Sequence, residues 1–179
     1  MANKLNNIHL ITAIENSGGI GKDGTIPWHF HEDMKYFKNL TKGAGDNAVI
    51  MGRKTFQSLN YTPLPYRINV VLSRSDKIHQ KYHNPKKNVF IFHDIESVIS
   101  YIDGIQFDDV WVIGGNHIYH EFLTSYVQRV HSIYVTHVTN DYECDVYFPQ
   151  IPTNFTLQRM HQTIEKDTLL KFKIFGHEL

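Results

Sequence analysis

The sequence has a single cysteine, Cys144, so no internal disulfide can staple it, which suits a reducing compartment. It also lacks a net charge, because 18 lysines and arginines balance 18 aspartates and glutamates. With no global field to recruit nucleic acid or an anionic membrane, any anion binding must come from local clusters. No apolar run approaches bilayer-spanning length, and the polar start "MANKLNN" lacks the apolar segment of a secretory signal. The expectation is a cytoplasmic protein with no nucleic-acid and no membrane partner.

Catalytic signatures are missing too. Neither G-x-S-x-G nor H-E-x-x-H occurs, and the histidines form only loose pairs such as His29 with His31 and His117 with His120, so no metal site is expected. Cys144 lies between Glu143 and Asp145, acidic neighbours that disfavour a thiolate. Repeats, linkers and low-complexity stretches are absent, and the length suits one domain over residues 1–179.

What is present is an alternation. The strand-like runs "IHLITAI" (8–14), "NAVIM" (47–51), "INVVLS" (68–73), "VFIF" (89–92) and "DVWVIGG" (109–115) are separated by helical patterns. In "DIESVISYID", Ile95, Val98, Ile99 and Ile102 keep one helical stripe behind a capping Asp94. Such alternation predicts an α/β fold with a central, mostly parallel twisted sheet and helices on both faces. The last third differs. "RVHSIYVTHV", "FTLQRMHQTI" and "LLKFKIFGHEL" are extended runs with no clear helix between them, which predicts antiparallel strands at a C-terminal edge.

Ligands of an open α/β sheet bind beyond the carboxyl ends of its strands. Here those ends run into Gly52-Arg53-Lys54-Thr55, Ser73-Arg74-Ser75 and Gly114-Gly115-Asn116-His117. Glycines let a backbone approach phosphate, helix N-termini add unpaired N–H groups, and the cations add formal charge. The set favours a ligand with several anionic groups, such as a dinucleotide with an extra ribose phosphate. The G-x-G-x-x-G fingerprint is absent, since "GGIGKDG" (18–24) leads to Pro27 and not into a helix. The loop from Glu15 to Pro27 instead reads as a mobile flap near a site.

One residue breaks the apolar patterning. In "IPWHFHEDMKYFKNL", Phe30, Met34, Phe37 and Leu40 fall at the spacing of one buried helical stripe, and Asp33 sits inside it. A buried acid is costly unless a polar partner meets it, so Asp33 implies a group that arrives with a ligand.

The segments "GGIGKDGTIPWHFHEDMKYFK", "VIMGRKTFQSL", "PLPYRINVVLSR", "VWVIGGNHIYHEF" and "YVTHV....ECDVYFP", with "KFKIF" near the end, stand in the order and spacing of the dihydrofolate reductase family, which the chain resembles over nearly its whole length. The resemblance implies a dihydrofolate reductase-like fold. It also implies reduction of 7,8-dihydrofolate to tetrahydrofolate with NADPH, in support of one-carbon and thymidylate metabolism. A monomer that also binds antifolates is implied as well.

Residue by residue, it makes Asp33 the carboxylate that holds the pterin edge and assists protonation of N5, with Thr136 orienting it and Trp28 holding a water. Ile11, Thr12, Ala13, Phe30, Met34, Phe37, Leu59 and Ile113 become walls of the substrate pocket, and Arg67 the partner of the substrate's glutamate carboxylate. For the cofactor it implies Ala13, Ile20, Gly52, Arg53, Lys54, Thr55, Leu72, Ser73, Arg74, Ile113, Asn116, His117, Ile118 and Tyr119, around a cis-linked Gly114-Gly115. Asn116 after the glycine pair, Thr12 in the pterin wall and Phe56 depart from the usual residues. Two other readings are a reductase of another pyrimidine or pterin on the same fold, which offers no reason for Asp33 together with Trp28 and Arg67, and a silent dinucleotide-binding module, which predicts that Asp33→Asn is tolerated.

Overall fold

The computed structural model describes residues 5–177. The first four residues of "MANKLNN" and the last two of "LLKFKIFGHEL" lie outside them. In chain order the strands are β1 (Ile8–Ile14), β2 (Gly19–Gly21), β3 (Ala48–Gly52), β4 (Ile68–Leu72), β5 (Val89–Phe92), β6 (Val110–Gly114), β7 (Val130–Val138), β8 (Val146–Tyr147), β9 (Phe155–Glu165) and β10 (Thr168–His177). The helices are α1 (His31–Lys42), α2 (Arg53–Ser58), α3 (Asp76–Tyr82), α4 (Ile95–Asp103) and α5 (Asn116–Thr124).

Eight strands form one sheet in the order β5-β4-β3-β6-β1-β7-β10-β9, while β2 and β8 make a separate ribbon. β3 and β6 carry no polar side chain because both of their faces are covered. Alternation then sorts each strand's residues between two layers. Ala48, Ile50, Val70, Val110 and Val112 pack with Val98 and Ile102 of α4 and Phe122 of α5. Val49, Met51, Val71 and Trp111 pack on the opposite face with Phe56 of α2, beside Phe37 and Leu40 of α1 and Ile78 and Tyr82 of α3. Phe122 and Phe56 are both fully buried, and each such burial is worth about 1.5–3 kcal/mol.

The parallel sheet with its antiparallel edge agrees with the sequence reading, with one correction. β7, the "RVHSIYVTHV" run, pairs parallel to β1 from Ile8↔Val130 to Ile14↔His137, and the antiparallel pairings of this sheet are those of β10 with β7 and with β9. The helix that returns the chain for this parallel pairing is α5, which precedes β7. As expected, Asp94 caps α4, its carboxylate accepting from the Ser97 amide at 2.7 Å.

The stripe around Asp33 needs a second correction. Phe30 precedes α1 in an extended conformation, Thr41 is the buried residue of the helix, and Met34 is 51% exposed. That face of α1 lines a cleft through Met34 and Phe37, while Phe37 and Leu40 also pack on the core. Phe30 has no side chain able to cap α1, and Glu165 at the end of β9 does so from 134 residues away. Its carboxylate accepts from the amides of His31 at 2.8 Å and Glu32 at 3.0 Å.

Candidate active site

The carboxyl ends of β1, β3, β4 and β6 open into one cleft of about 1870 Å³, with α1 on one side and the segment containing β2 above it. That volume exceeds the roughly 300–1,000 Å³ of a site for one drug-sized ligand, so two can lie end to end. The cleft is lined by every site residue expected from the sequence except Thr136, which lies behind Asp33.

Asp33 stands at the apolar end of the cleft. Phe30 enters from before the helix, Met34 and Phe37 follow on it, and Ile11 and Ala13 face it from β1. Burial pushes the Asp33 carboxyl above its usual range, the Thr136 hydroxyl opposes this by bonding the ionised form, and the nearby charge of Glu165 adds to the rise. Thr136 is buried at the centre of the sheet, paired with Ala13 on β1 and with Phe172 on β10, so the sheet register itself sets the orientation of the acid. Trp28 is buried alongside, and its indole N–H has no protein acceptor.

Arg67 occupies the mouth. Only 4% exposed, it donates from Nη1 to Thr41 Oγ1 at 2.8 Å and from Nε to the Pro65 carbonyl at 3.0 Å, while Thr41 donates to the Phe37 carbonyl at 2.7 Å. Burial pulls its pKa down from the ordinary value, and arginine stays charged because that value is so high. A rigid, charged fork is thus aimed into the cleft across the apolar walls from Asp33.

The other end carries the cations. Arg53, Lys54 and Thr55 open α2 after Gly52, and Ser73, Arg74 and Ser75 follow β4. Asn116, His117, Ile118 and Tyr119 form the first turn of α5, whose N-cap Gly115 offers no side-chain acceptor, so its first amides remain open. The Gly114–Gly115 peptide is cis. Tyr119 is buried and its hydroxyl donates to the Ile11 carbonyl at 2.7 Å, tying this turn to β1. Side chains added at the glycines would intrude: a Cβ on Gly52 would lie 3.2 Å from Ile118, and one on Gly114 3.1 Å from the Tyr119 hydroxyl.

The described residues include no grouping of three or more His, Cys, Asp or Glu side chains able to hold a metal. Anionic groups suit the cationic end, and a flat apolar ring suits the end walled by Phe30 and Phe37.

A sequence model described as dihydrofolate reductase matches residues 7–176. The chain belongs to the dihydrofolate reductase family. Its relatives include the dihydrofolate reductase of Aedes albopictus, 34% identical over 168 residues that cover 88% of this chain and 87% of that one. The bifunctional dihydrofolate reductase-thymidylate synthase of Daucus carota is 37% identical over 150 residues, which cover 78% of this chain and 28% of that longer protein. Among solved structures, the dihydrofolate reductase from Enterococcus faecalis complexed with NADP(H) and RAB-propyl superposes with a TM-score of 0.80, at 25% identity and 97% coverage of both chains.

Within this dihydrofolate reductase fold, sequence reasoning overlooked several residues. Thr41 steadies Arg67, and Glu165 both caps α1 and acts on Asp33. His93, Asp94 and Ile95 extend the cationic end of the cleft, and Leu64 and Pro65 its mouth. Thr41 carried a faint signal, one turn after Phe37 on a helix face that also bears apolar residues. Glu165 carried none, since its partner helix is remote in sequence.

Proposed function

We propose that this chain catalyses the NADPH-dependent reduction of 7,8-dihydrofolate to 5,6,7,8-tetrahydrofolate. The observation that carries the reading is Asp33: a carboxyl on an apolar cleft wall, raised in pKa by burial and held by Thr136. Such a group accepts the paired N–H donors of a pterin edge and is tuned to keep a proton within reach of N5. Phe30, Phe37, Met34, Leu59, Ile11, Thr12, Ala13 and Ile113 enclose the ring system and exclude water from the reacting face. The free indole N–H of Trp28 is the donor that fixes a bridging water beside the pterin.

Arg67, with its other donors committed to Thr41 and Pro65, binds the glutamate carboxylate of the substrate. Arg53, Lys54, Thr55, Ser73 and Arg74 are suited to the pyrophosphate and the ribose phosphate of NADPH. Gly52, Leu72, Gly114, Gly115, Asn116, His117, Ile118 and Tyr119 shape the channel, and Ile20 closes over the nicotinamide. NADPH, when bound, supplies the hydride. Planar antifolates bearing an amidine-like edge fit the same Asp33 face.

The same reading makes the protein a monomeric, cytoplasmic enzyme forming one domain over residues 1–179, with small molecules as partners and neither nucleic acid nor membrane among them. No helix of the described residues is long and apolar enough to cross a membrane. NADPH oxidation followed with dihydrofolate tests the proposal. Turnover by the native protein, with loss of at least about 100-fold in Asp33→Asn, is expected. Absence of native turnover would overturn it.

A further inference from the structure

Glu15 is a buried acid that the reaction above does not use. It is 1% exposed, does not line the cleft, and has no cation within ion-pair distance among the described residues. A carboxylate in that position is retained only where hydrogen bonds replace its water. Its Oε1 accepts from the amides of Ser17 at 3.0 Å and Gly19 at 2.8 Å, and also from the Ser17 hydroxyl. The Tyr142 amide contributes from the segment leading to β8. Burial alone would raise the carboxyl, and these donors together hold it below its usual range.

These bonds gather the chain at the point where the loop over the cleft leaves β1. The Glu15 backbone closes the turn, receiving Gly18 N–H at 2.9 Å and donating to the Gly19 carbonyl at 3.0 Å. β2 follows at once, with Ile20 and Gly21 on the cleft, and it pairs with β8. Farther along, Gly24, Thr25 and Ile26 also reach the cleft. Gly19 is pressed against this hub so closely that an added Cβ would lie 2.7 Å from Glu15 Oε1 and 2.2 Å from the Cys144 Cβ.

We propose that Glu15 is a positioning residue for hydride transfer: its carboxylate gathers the donors of residues 17–19 and of Tyr142, and so sets the loop that holds Ile20 over the nicotinamide end of the cleft. The inference rests on the reading of that end given under Proposed function. Glu15 touches neither substrate nor cofactor and acts through the loop alone. Because one oxygen takes three of the bonds, glutamine can keep them, while alanine leaves buried amides without an acceptor.

The test compares native protein with Glu15→Gln and Glu15→Ala by steady-state kinetics with NADPH and dihydrofolate, and by amide hydrogen exchange of the free proteins. In Glu15→Ala, kcat falls roughly 10- to 100-fold, the scale of a small misplacement of reacting groups, while the KM for dihydrofolate changes little. Amides of residues 16–21 exchange at least about tenfold faster, and those of β3 and β4 keep their native rates. Glu15→Gln recovers most of kcat and of the protection. Native kcat in Glu15→Ala, or exchange accelerated equally across the whole sheet, would overturn the proposal. If Glu15→Ala does not fold, Ser17→Ala replaces it, with a several-fold loss of kcat and faster exchange at Gly18 and Gly19 expected; native values for both would overturn it. Lack of turnover in the native protein would count against the assigned reaction, and the exchange comparison would still decide whether Glu15 sets the loop.

Discussion

The guanidinium of Arg67 is anchored by the hydroxyl of Thr41, 2.8 Å away, and Thr41 is itself fixed by donating to the Phe37 carbonyl. One polar side chain in the last turn of α1 thereby locks the cation at the cleft mouth to the helix that carries Asp33 and the apolar wall. Thr41→Val keeps the shape and removes the acceptor. Loss of a hydrogen bond to a charged group costs about 1.5–3 kcal/mol. The expected outcome is a rise of roughly tenfold or more in the KM for dihydrofolate with kcat nearly unchanged, measured by steady-state kinetics. A substrate analogue lacking the glutamate should show no difference between the two proteins.

Asp33 carries a stability cost that its pKa makes measurable. Its folded value is raised, first by burial, so the native state holds this proton more tightly than the unfolded chain does. The stabilising proton is fully bound at low pH and is lost as the pH rises between the unfolded and folded values, leaving a charged, half-buried group at neutral pH. Asp33→Asn should therefore melt at a higher temperature than native protein at neutral pH, and this gap should close as the pH falls. Thermal denaturation across pH, run beside the activity assay, should show stability gained as turnover is lost.

His9 supplies the opposite dependence away from the cleft. It is buried against Trp111 with Nε2 3.0 Å from Asp109 Oδ1, and burial lowers its pKa despite the bond and charge of Asp109, with His131 lowering it further. The folded state prefers the neutral ring, so its contribution is present above the unfolded histidine value and is lost as the pH falls through the folded one. His9→Gln should flatten the decline of melting temperature on acidification below neutrality. An unchanged slope would show that other groups control it.

Gly114 has φ +117°, and a Cβ there would meet the Tyr119 hydroxyl at 3.1 Å and its ring at 3.2 Å. Gly114→Ala should cost more than about 1 kcal/mol of stability, since alanine is unsuited to that backbone conformation. It should also weaken NADPH binding by disturbing the turn into α5. Denaturant unfolding and quenching of protein fluorescence by NADPH measure the two effects separately.

Much was legible in the chain alone. Strands buried on both faces carry continuous apolar runs, so "AVIM" and "VWVI" announce a covered parallel sheet. The capping Asp94 and the stripe behind it mark α4 for the same local reasons. The ordered motifs named the family, and Asp33 stood out because an acid in an apolar stripe has no local explanation. Periodicity reports which face of a helix is apolar, but not what that face meets. The resemblance made Phe30, Met34 and Phe37 pocket walls, and the tertiary structure alone showed that Met34 is half exposed there and that β7 runs parallel to β1. It alone joined Glu165 to the start of α1, Thr41 to Arg67, and Glu15 to the loop at Ser17 and Gly19. The first two depend on strand order and helix placement across long separations, and the third on burial, which no spacing of residues discloses.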